Sequence, residues 1–456
     1  MGRWMGLALV VACGCSDLEQ ARRAQDPDSR RPGERTASAA ELGLGPGAVL
    51  ALDQGVHVAL TSTPVIGIFR ARVEQSRARL EQVDAGLLPQ LSVSADYRWE
   101  KNGGAGSSPL SGSKVGNSSG IIQTHGESVS VSQLLYDFGR TDAARRQAWD
   151  NYVASQSDLQ AAENDSVFAL KQAFFGVLRQ EELVRVGEET VRQFEKRLEQ
   201  VKGFVDVGAR QKNDLTKAQV DLGNAQLALV KARTALIVAK AFLNNALGLA
   251  EDPRYAIEKP PPTPPWTTPF EEAADQARRY HPRLQALLLR EAAARHAIDA
   301  SIADFWPQVT LGGSFSASGS LTPMTWFSSL GPAVNWLVFS GWEKTGALHG
   351  AVATLREAYA QRAQEEQQIF LDLHQAYATL QDTQESLKIL DLTVKQAEES
   401  LLLVTGRYEQ QKASSVELTD AQVALANARA AEIQARYDFE VAVAAIQRSM
   451  GGLSKP

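Results

Sequence analysis

The sequence predicts a mainly α-helical fold with a membrane β-barrel contribution: two structural repeats that give four transmembrane β-strands and long antiparallel coiled helices per chain. Three observations predict it: long heptad seams, segments of alternating polarity, and a likeness between the two halves of the 456 residues. Apolar or small side chains recur at spacings of three and four over Leu170–Val205 and again over His374–Tyr408. Helices of this length are expected to bridge a long distance, and the alternating segments between them indicate what lies at one end.

The first twelve residues have the features of a signal peptide. Arg3 precedes an apolar run over residues 4–11, which is too short to cross a bilayer. The run ends at Ala-Cys, as in a bacterial lipoprotein signal, where Cys13 becomes the acylated first residue. Cys15 is the alternative lipidation site. A second interpretation also stays open, in which this is an ordinary signal peptide and the cysteines are incidental.

The composition of the chain limits what it can contain. Residues 13–47 are rich in Arg, Asp, Pro and Gly without an apolar period, which predicts a flexible tether. The chain has two cysteines, both near its start, so no internal disulfide or thiolate metal site is expected after export. A net charge of −6 argues against nucleic acid as a partner. No later segment is apolar enough to predict a transmembrane helix.

The two halves of the chain share one layout. Leu87–Gln90 is echoed by Phe305–Gln308, and Ala218–Gln219 is echoed by Ala421–Gln422. Each half is expected to contain a helix, two strands, a long helix and a returning helix. The predicted parts are a first repeat over 48–250, a proline-rich linker over 251–269 and a second repeat over 270–453.

Alternating polarity predicts two strands in each repeat. From Leu91 to Trp99 the odd positions are apolar or aromatic, and the even positions are polar. Three serines at residues 128, 130 and 132 alternate with valines in the same way. This period of two, with apolar and small polar faces, is typical of membrane β-strands. The predicted strands are 89–99, 127–137, 307–317 and 330–340.

A long helix and a shorter returning helix follow each pair of strands. The first long helix would extend about 100 Å at 1.5 Å per residue. Four strands cannot close a barrel, and lipid does not tolerate open sheet edges, so several chains must contribute. Two chains would give eight strands and three would give twelve. The predicted helices are 141–207, 211–249, 343–410 and 414–450.

These patterns resemble the bacterial outer-membrane efflux protein (TolC-like) family over about residues 48–453. The similarity rests on Leu88–Leu91, Leu135–Arg140 and Val207–Arg210 in this order, together with the Ala-Gln pairs after both helical turns. With its lipoprotein-like start, the chain is similar to the lipid-anchored members. The resemblance implies a homotrimer with a twelve-strand barrel in the outer membrane and an α-helical tunnel in the periplasm.

The function that this resemblance implies is a passive exit duct for small molecules, such as drugs or metal ions. The tunnel would dock on a periplasmic adaptor (membrane fusion) protein that is joined to an inner-membrane pump. The exit channel of a type I protein-secretion system has the same fold and stays open as an alternative. A lipid-anchored periplasmic coiled-coil scaffold without a pore is the alternative of another class, and the serine-lined strands argue against it.

Glu417 and Asp420 are the candidate periplasmic gate. They are three residues apart near the start of the last predicted helix and therefore share a helix face. The resemblance implies that acidic side chains at these positions line the narrowest part of the closed tunnel, where crowded carboxylates favour cations. The alternative is that they are N-terminal helix acids stabilised by the helix dipole. The matching first-repeat residues are Asp214 and Lys217, so the acidic pair is not repeated.

The two turns between paired helices are the candidate contact surface for the adaptor; plain solvated turns are the alternative. Family members often carry a glycine at the start of each turn; Gly208 fits this pattern and Gln411 departs from it. The candidate contact residues are Val207, Gly208, Ala209, Arg210, Lys412, Ala413, Ser414 and Ser415. The six histidines show no paired ligand spacing, so we expect no metal site. No nucleotide-binding loop and no catalytic arrangement of side chains stands out, so we expect no cofactor and no enzymatic activity.

Overall fold

A computed structural model describes residues 21, 25, 38–39, 41–45, 47–101, 121–208, 211–253, 255–319, 325–410 and 412–452. The predicted signal peptide and the lipidation candidates Cys13 and Cys15 lie outside these residues, so their assignment stays a prediction. Within the described residues, no helix combines the length and the hydrophobicity that a membrane span requires.

Helices of matching length recur in the two repeats, with 11, 22, 67 and 35 residues in each. The elements of the first repeat are β1 Val49–Leu50, α1 Leu52–Ser62, α2 Pro64–Ala85, β2 Gln90–Lys101, β3 Ile121–Tyr136, α3 Arg140–Asp206 and α4 Lys212–Ala246. Those of the linker and second repeat are β4 Ala256–Ile257, α5 Phe270–Tyr280, α6 Pro282–Ala303, β5 Gln308–Gly319, β6 Thr325–Asn335, α7 Glu343–Glu409 and α8 Ser415–Ser449.

The single helix expected at the start of each repeat is in fact two helices, so that prediction was wrong. Thr63 follows α1 and His281 follows α5, and both have extended backbone angles, with ψ at 125° and 120°. A residue that precedes proline is pushed out of the α region, and here Pro64 and Pro282 follow. Proline is well suited to the first position of a helix, so each begins the next one.

The four longer strands form one antiparallel sheet in the order β2-β3-β5-β6. The fourth strand lies five residues earlier than the expected 330–340, because the ladder with β5 ends where Asn335 pairs with Gln308. The apolar residues Trp336–Phe339 follow the last paired residue and are exposed, so their hydrophobicity does not mark a paired strand. The second strand begins at Ile121, earlier than residue 127, because its pairing with β2 extends to Lys101.

The proline-rich linker contains a short strand that composition did not predict. β4 pairs in parallel with β1, with Val49 opposite Ala256 and Leu50 opposite Ile257. A strand of two residues is too short to show a period of two. This pairing joins the linker to the beginning of the first repeat.

The chain divides into two compact units. One unit comprises Val73–Ser155 and Ala286–Ala363 and contains the four-stranded sheet. The other comprises Met1–Arg72, Gln156–Gln285 and Gln364–Pro456, and it contains α4, α8 and the tip-side parts of α3 and α7.

In the unit that contains α4 and α8, four helices lie side by side in the order α4, α3, α8, α7, and each contacts the next. Helices α3 and α8 therefore lie in the middle, and α4 and α7 form the two edges. The apolar contacts that define this order are Phe194 with Ala225, Phe175 with Tyr437, and Leu373 with Ile446.

Candidate functional site at the tips of the two hairpins

Two helical hairpins, α3 with α4 and α7 with α8, carry the residues that the sequence singled out. The first hairpin turns between Asp206 and Lys212, and the second turns between Glu409 and Ser415. Both turns lie in the same compact unit. Of the predicted residues, Ala209 and Arg210 lie outside the described part of the chain, as does Gln411.

The first turn closes through a glycine. Gly208 has a φ of 75° and donates its N–H to the carbonyl of Val205 at 3.0 Å. Glycine adopts this left-handed conformation without steric cost, which is why it commonly ends helices. Val207, directly before it, is 77% exposed. The turn therefore presents an apolar side chain to its surroundings.

The second turn closes through a bond between residues five apart. The N–H of Lys412 donates to the carbonyl of Arg407 at 2.8 Å. A bond with this sequence separation is one of the two that occur at Schellman helix ends. The guanidinium of Arg407 donates back to the carbonyl of Lys412 at 3.4 Å. The first bond satisfies a carbonyl in the last turn of α7, and the second satisfies the carbonyl of Lys412 in the turn itself.

A capping box begins α8 and involves one of the two gate candidates. The N–H of Glu417 donates to Ser414 Oγ at 3.1 Å, and the N–H of Ser414 donates to Glu417 Oε1 at 3.2 Å. Arg407 Nη1 lies 3.7 Å from Glu417 Oε2. These groups, the Ser414 backbone first, lower the pKa of the Glu417 carboxyl. Glu417 is therefore a charged helix cap, and Asp420 lies exposed one turn later.

Two predicted contact residues are buried inside the chain. Ala413 is 5% exposed and packs in a cluster with Tyr408 and Leu418. Ser415 is 4% exposed and accepts a hydrogen bond from α3. Their side chains are thus engaged within this chain. The predicted contact residues that remain at the described surface are Val207, Gly208, Lys412 and Ser414.

Arg197 of α3, which sequence reasoning did not single out, joins the two hairpins at this site. Its guanidinium is 2% exposed and donates through Nη2 to the carbonyl and to the hydroxyl of Ser415, both at 2.7 Å. Nη1 donates to the hydroxyl of Thr419 and lies 3.5 Å from Gln422 Oε1. A planar fork with five donors suits this set of oxygens.

The charge of Arg197 is balanced from its own hairpin. Asp221 Oδ2 of α4 lies 3.7 Å from Nη1 and accepts a bond from the hydroxyl of Thr419 at 3.1 Å. Burial lowers the pKa of the Arg197 guanidinium, and Asp221 opposes that shift. Three helices, α3, α4 and α8, therefore meet in one hydrogen-bonded network. Its α8 members, Ser415 and Thr419, lie in the same turns of the helix as the gate candidates.

An open groove separates the ends of the two long helices. It has a volume of about 460 Å³ and lies between the last turn of α3 and that of α7. Its lining includes the apolar side chains of Phe204 and Val207, together with Gly203. Gln200, Tyr408 and Glu409 complete it. Among the described residues, no group of three His, Cys, Asp or Glu side chains is placed to hold a metal ion.

Comparison with solved structures identifies the fold. The chain is similar to a membrane protein from Pseudomonas aeruginosa, with 21% identity, a TM-score of 0.77, and 88% of this chain and 90% of that chain covered. It is similar to CusC, with 17% identity, a TM-score of 0.77, and coverage of 93% and 96%. It is also similar to VceC from Vibrio cholerae, with 18% identity, a TM-score of 0.73, and coverage of 88% and 96%.

The family comparison covers both repeats. No curated protein sequence matches the chain significantly. The pattern of the outer membrane efflux protein family, by contrast, matches residues 56–249 and 273–452, which include both hairpins and all four longer strands. The chain belongs to the outer membrane efflux protein family.

Proposed function

We propose that three copies of this chain form a passive exit duct in the outer membrane, served by a periplasmic adaptor and an inner-membrane pump. Membership of the efflux family supports the location and the task. The observation that carries the proposal is the four-stranded sheet, whose two faces differ in polarity and whose two edge strands are β2 and β6.

One face of the sheet carries a row of serines that crosses all four strands. Ser92 pairs with Ser130, Ser130 with Ser314, and Ser314 with Ser329. The hydroxyls of the first pair are 2.6 Å apart, and those of the last pair are 2.8 Å apart. A row of small hydroxyls suits a water-filled lumen.

The opposite face of the same strands is apolar and exposed in the single chain. Leu91 and Val93 are 54% and 67% exposed, and Val129 and Val131 lie opposite them. Such a face suits lipid, and lipid requires that edge strands be paired. Joining β6 of one copy to β2 of the next around a threefold axis would pair every edge and give twelve strands.

We propose that Glu417 and Asp420 form the periplasmic gate of this duct. Three copies would bring six carboxylates together, which would favour cations over anions. Because Glu417 also caps its own helix, a change to alanine would alter both the cap and the charge. Glutamine at this position preserves a capping box, so Glu417→Gln isolates the charge.

The gate is tested by ion selectivity in planar bilayers. Glu417→Gln with Asp420→Asn should move the reversal potential in a salt gradient toward zero, because the charge at the constriction is lost. Ser414→Ala, the control, removes the cap and keeps both acids, so it should preserve selectivity at a cost of about 1 kcal/mol in stability. Unchanged selectivity in the double variant would remove both residues from the gate.

We propose that the adaptor contacts the groove between the helix ends together with the exposed turn residues. The apolar lining at Phe204 and Val207 supports this, because an open groove with exposed apolar side chains favours a protein partner. Val207→Asp should reduce co-purification with the adaptor. Val416→Asp, the control, adds the same charge to an exposed valine of α8 outside the groove lining. Equal retention of adaptor by both variants would contradict this contact.

We propose that Cys13 anchors the mature chain through an acyl group, with Cys15 as the alternative. The apolar run that ends at Ala-Cys supports it. Cys13→Ser should abolish incorporation of labelled fatty acid and leave trimer formation largely intact. Labelling that persists in Cys13→Ser and disappears in Cys15→Ser would transfer the anchor to the second cysteine.

A further inference from the structure

The edge helices α4 and α7 each carry an apolar stripe that the single chain leaves uncovered. On α4 the exposed members are Val220, Leu227, Val230 and Ile237, each more than half exposed. On α7 they are Ile389, Leu392 and Leu403, again each more than half exposed. A helix that is apolar on two faces is suited to packing between two neighbours. Over these stripes, α4 contacts α3 and α7 contacts α8 within the described part of the chain.

The internal repeat says how the second neighbour would pack. Helices α3 and α7 have equal lengths and begin 203 residues apart, at Arg140 and Glu343, and so do α4 and α8, at Lys212 and Ser415. In the chain, α3 packs against α8. The equivalent pair is α7 with α4, which are the two edges of the same layer. Repeating the internal contact would therefore join the α7 edge of one copy to the α4 edge of another.

We propose that α7 of one copy packs against α4 of the next with the register that α3 and α8 adopt within a chain, so that Glu385 faces Arg233 and Ile389 faces Val230. The inference rests on the proposed trimeric duct and assigns the residues of its helical subunit interface.

The charged pair follows from an observed one. Glu182 Oε2 of α3 lies 3.8 Å from Arg436 Nη1 of α8. Adding 203 to the first residue gives Glu385, and subtracting 203 from the second gives Arg233, so both residue types are retained. Arg233 already donates to Glu188 of its own chain at 2.8 Å. A guanidinium has five donors, so this bond leaves donors for a second carboxylate.

The apolar pair follows in the same way. Val186 of α3 and Ile433 of α8 belong to one hydrophobic cluster. Their equivalents are Ile389 and Val230, which are also β-branched aliphatic residues and are exposed in the single chain. A polar residue at either position would have argued against a repeated interface.

Two other polar links of the internal interface are not repeated, which distinguishes the two interfaces. The equivalent of Arg197 is Ser400, so the subunit interface lacks the buried guanidinium. The ion pair of Glu189 with Arg429 at 3.2 Å is replaced by Leu392 and Gln226. The proposed interface is therefore more apolar than the internal one, with Glu385 and Arg233 as the pair that sets its register.

Cysteine cross-linking tests this register. Glu385→Cys combined with Arg233→Cys, treated with a short thiol-specific cross-linker, should convert most of the monomer band into covalent dimer and trimer on a denaturing gel. The control combines Glu385→Cys with Lys217→Cys, which displaces one thiol by about 24 Å along α4 and should give monomer. The unaltered chain, treated alike, measures any contribution from Cys13 and Cys15.

Two further measurements keep the outcome decisive. Single variants Glu385→Cys and Arg233→Cys with different tags, expressed together, should give a mixed covalent dimer. Monomer alone from the double variant, while native mass spectrometry still shows a trimer, would overturn the proposed register and leave the duct standing. An untreated chain that is not trimeric would contradict the proposed function and this interface together.

Discussion

Arg197 is the largest of the fully buried side chains in the described part of the chain. A buried guanidinium is tolerated only where oxygens replace its hydration, and here Ser415, Thr419 and Asp221 supply them. The heptad pattern holds a weak signal for it, since the residue lies three positions after Phe194 and four before Val201, on the apolar stripe. Its partners on α8 are more than 200 residues away, so no local pattern reveals the network.

Arg197→Met should loosen the tips of the hairpins, because it removes the donors and leaves the carboxylate of Asp221 without its partner. We expect a loss of about 2–3 kcal/mol and a higher open probability in bilayer recordings. Arg192→Met, the control, makes the same change at an exposed position of α3 and should alter neither quantity. A melting temperature and an open probability that both match those of the unaltered chain would contradict this role of Arg197.

His281 should make stability depend on pH. Burial, followed by the charge of Arg283, lowers the pKa of His281 to about 4. In the unfolded chain His281 is therefore protonated below about pH 6.5, whereas in the folded chain it becomes protonated only near pH 4. Stability should be full above pH 6.5 and fall by up to about 3 kcal/mol as the pH drops to 4.

The pH effect is checked by thermal unfolding at pH 7 and pH 4.5, followed by circular dichroism. His281→Asn should flatten the difference between the two melting temperatures. His349→Asn, which changes an exposed histidine of α7, should retain it. The same pH dependence in His281→Asn as in the unaltered chain would rule out this residue as the cause.

At the scale of elements, the glycine after each returning helix allows a close contact with a helix break. Gly248 has a φ of 76°, and a Cβ there would lie 2.8 Å from the carbonyl oxygen of Ser62. Gly451 has a φ of 81°, and a Cβ there would lie 2.9 Å from Pro282 Cδ. Because both repeats use the same device, the end of each returning helix is fixed against the proline break of its own repeat.

Gly248→Ala should therefore destabilise the chain by about 1–3 kcal/mol, through the left-handed backbone and the clash with Ser62. Gly176→Ala is the matched control, because nothing lies within 4 Å of its Cβ position in α3. Alanine in a helix interior should be neutral or stabilising there by up to about 1 kcal/mol. Thermal unfolding compares the two; equal melting temperatures would contradict the close contact.

Long elements were predictable from sequence because their hydrophobic patterns repeat over many residues. The seam from Leu170 to Val205 placed α3, and serine alternation placed the sheet. The proline breaks at Thr63 and His281 were missed because an apolar stripe continues across them, although the proline itself was the available signal. The end of β6 was misplaced because exposed apolar residues after Asn335 imitate a strand.

At the scale of the whole molecule, both the sheet and the hairpins carry exposed apolar surfaces that lipid or neighbouring copies would cover. The lipid-suited face around Val93 and the stripes of α4 and α7 would each be costly in water, at about 25 cal/mol per Å². A trimer would cover the helical stripes and pair the edges of β2 and β6. The sequence predicted the need for several chains from the open sheet alone, whereas the candidate subunit contacts needed the structure's helix order.

Single-channel recording of the purified, unaltered chain in a planar bilayer tests the central claim most directly. Native mass spectrometry of the same sample establishes how many copies are present. A trimeric duct with closed tips predicts small, mostly closed, cation-selective conductance steps. Protein that inserts as a trimer and gives no steps at any voltage would contradict the account.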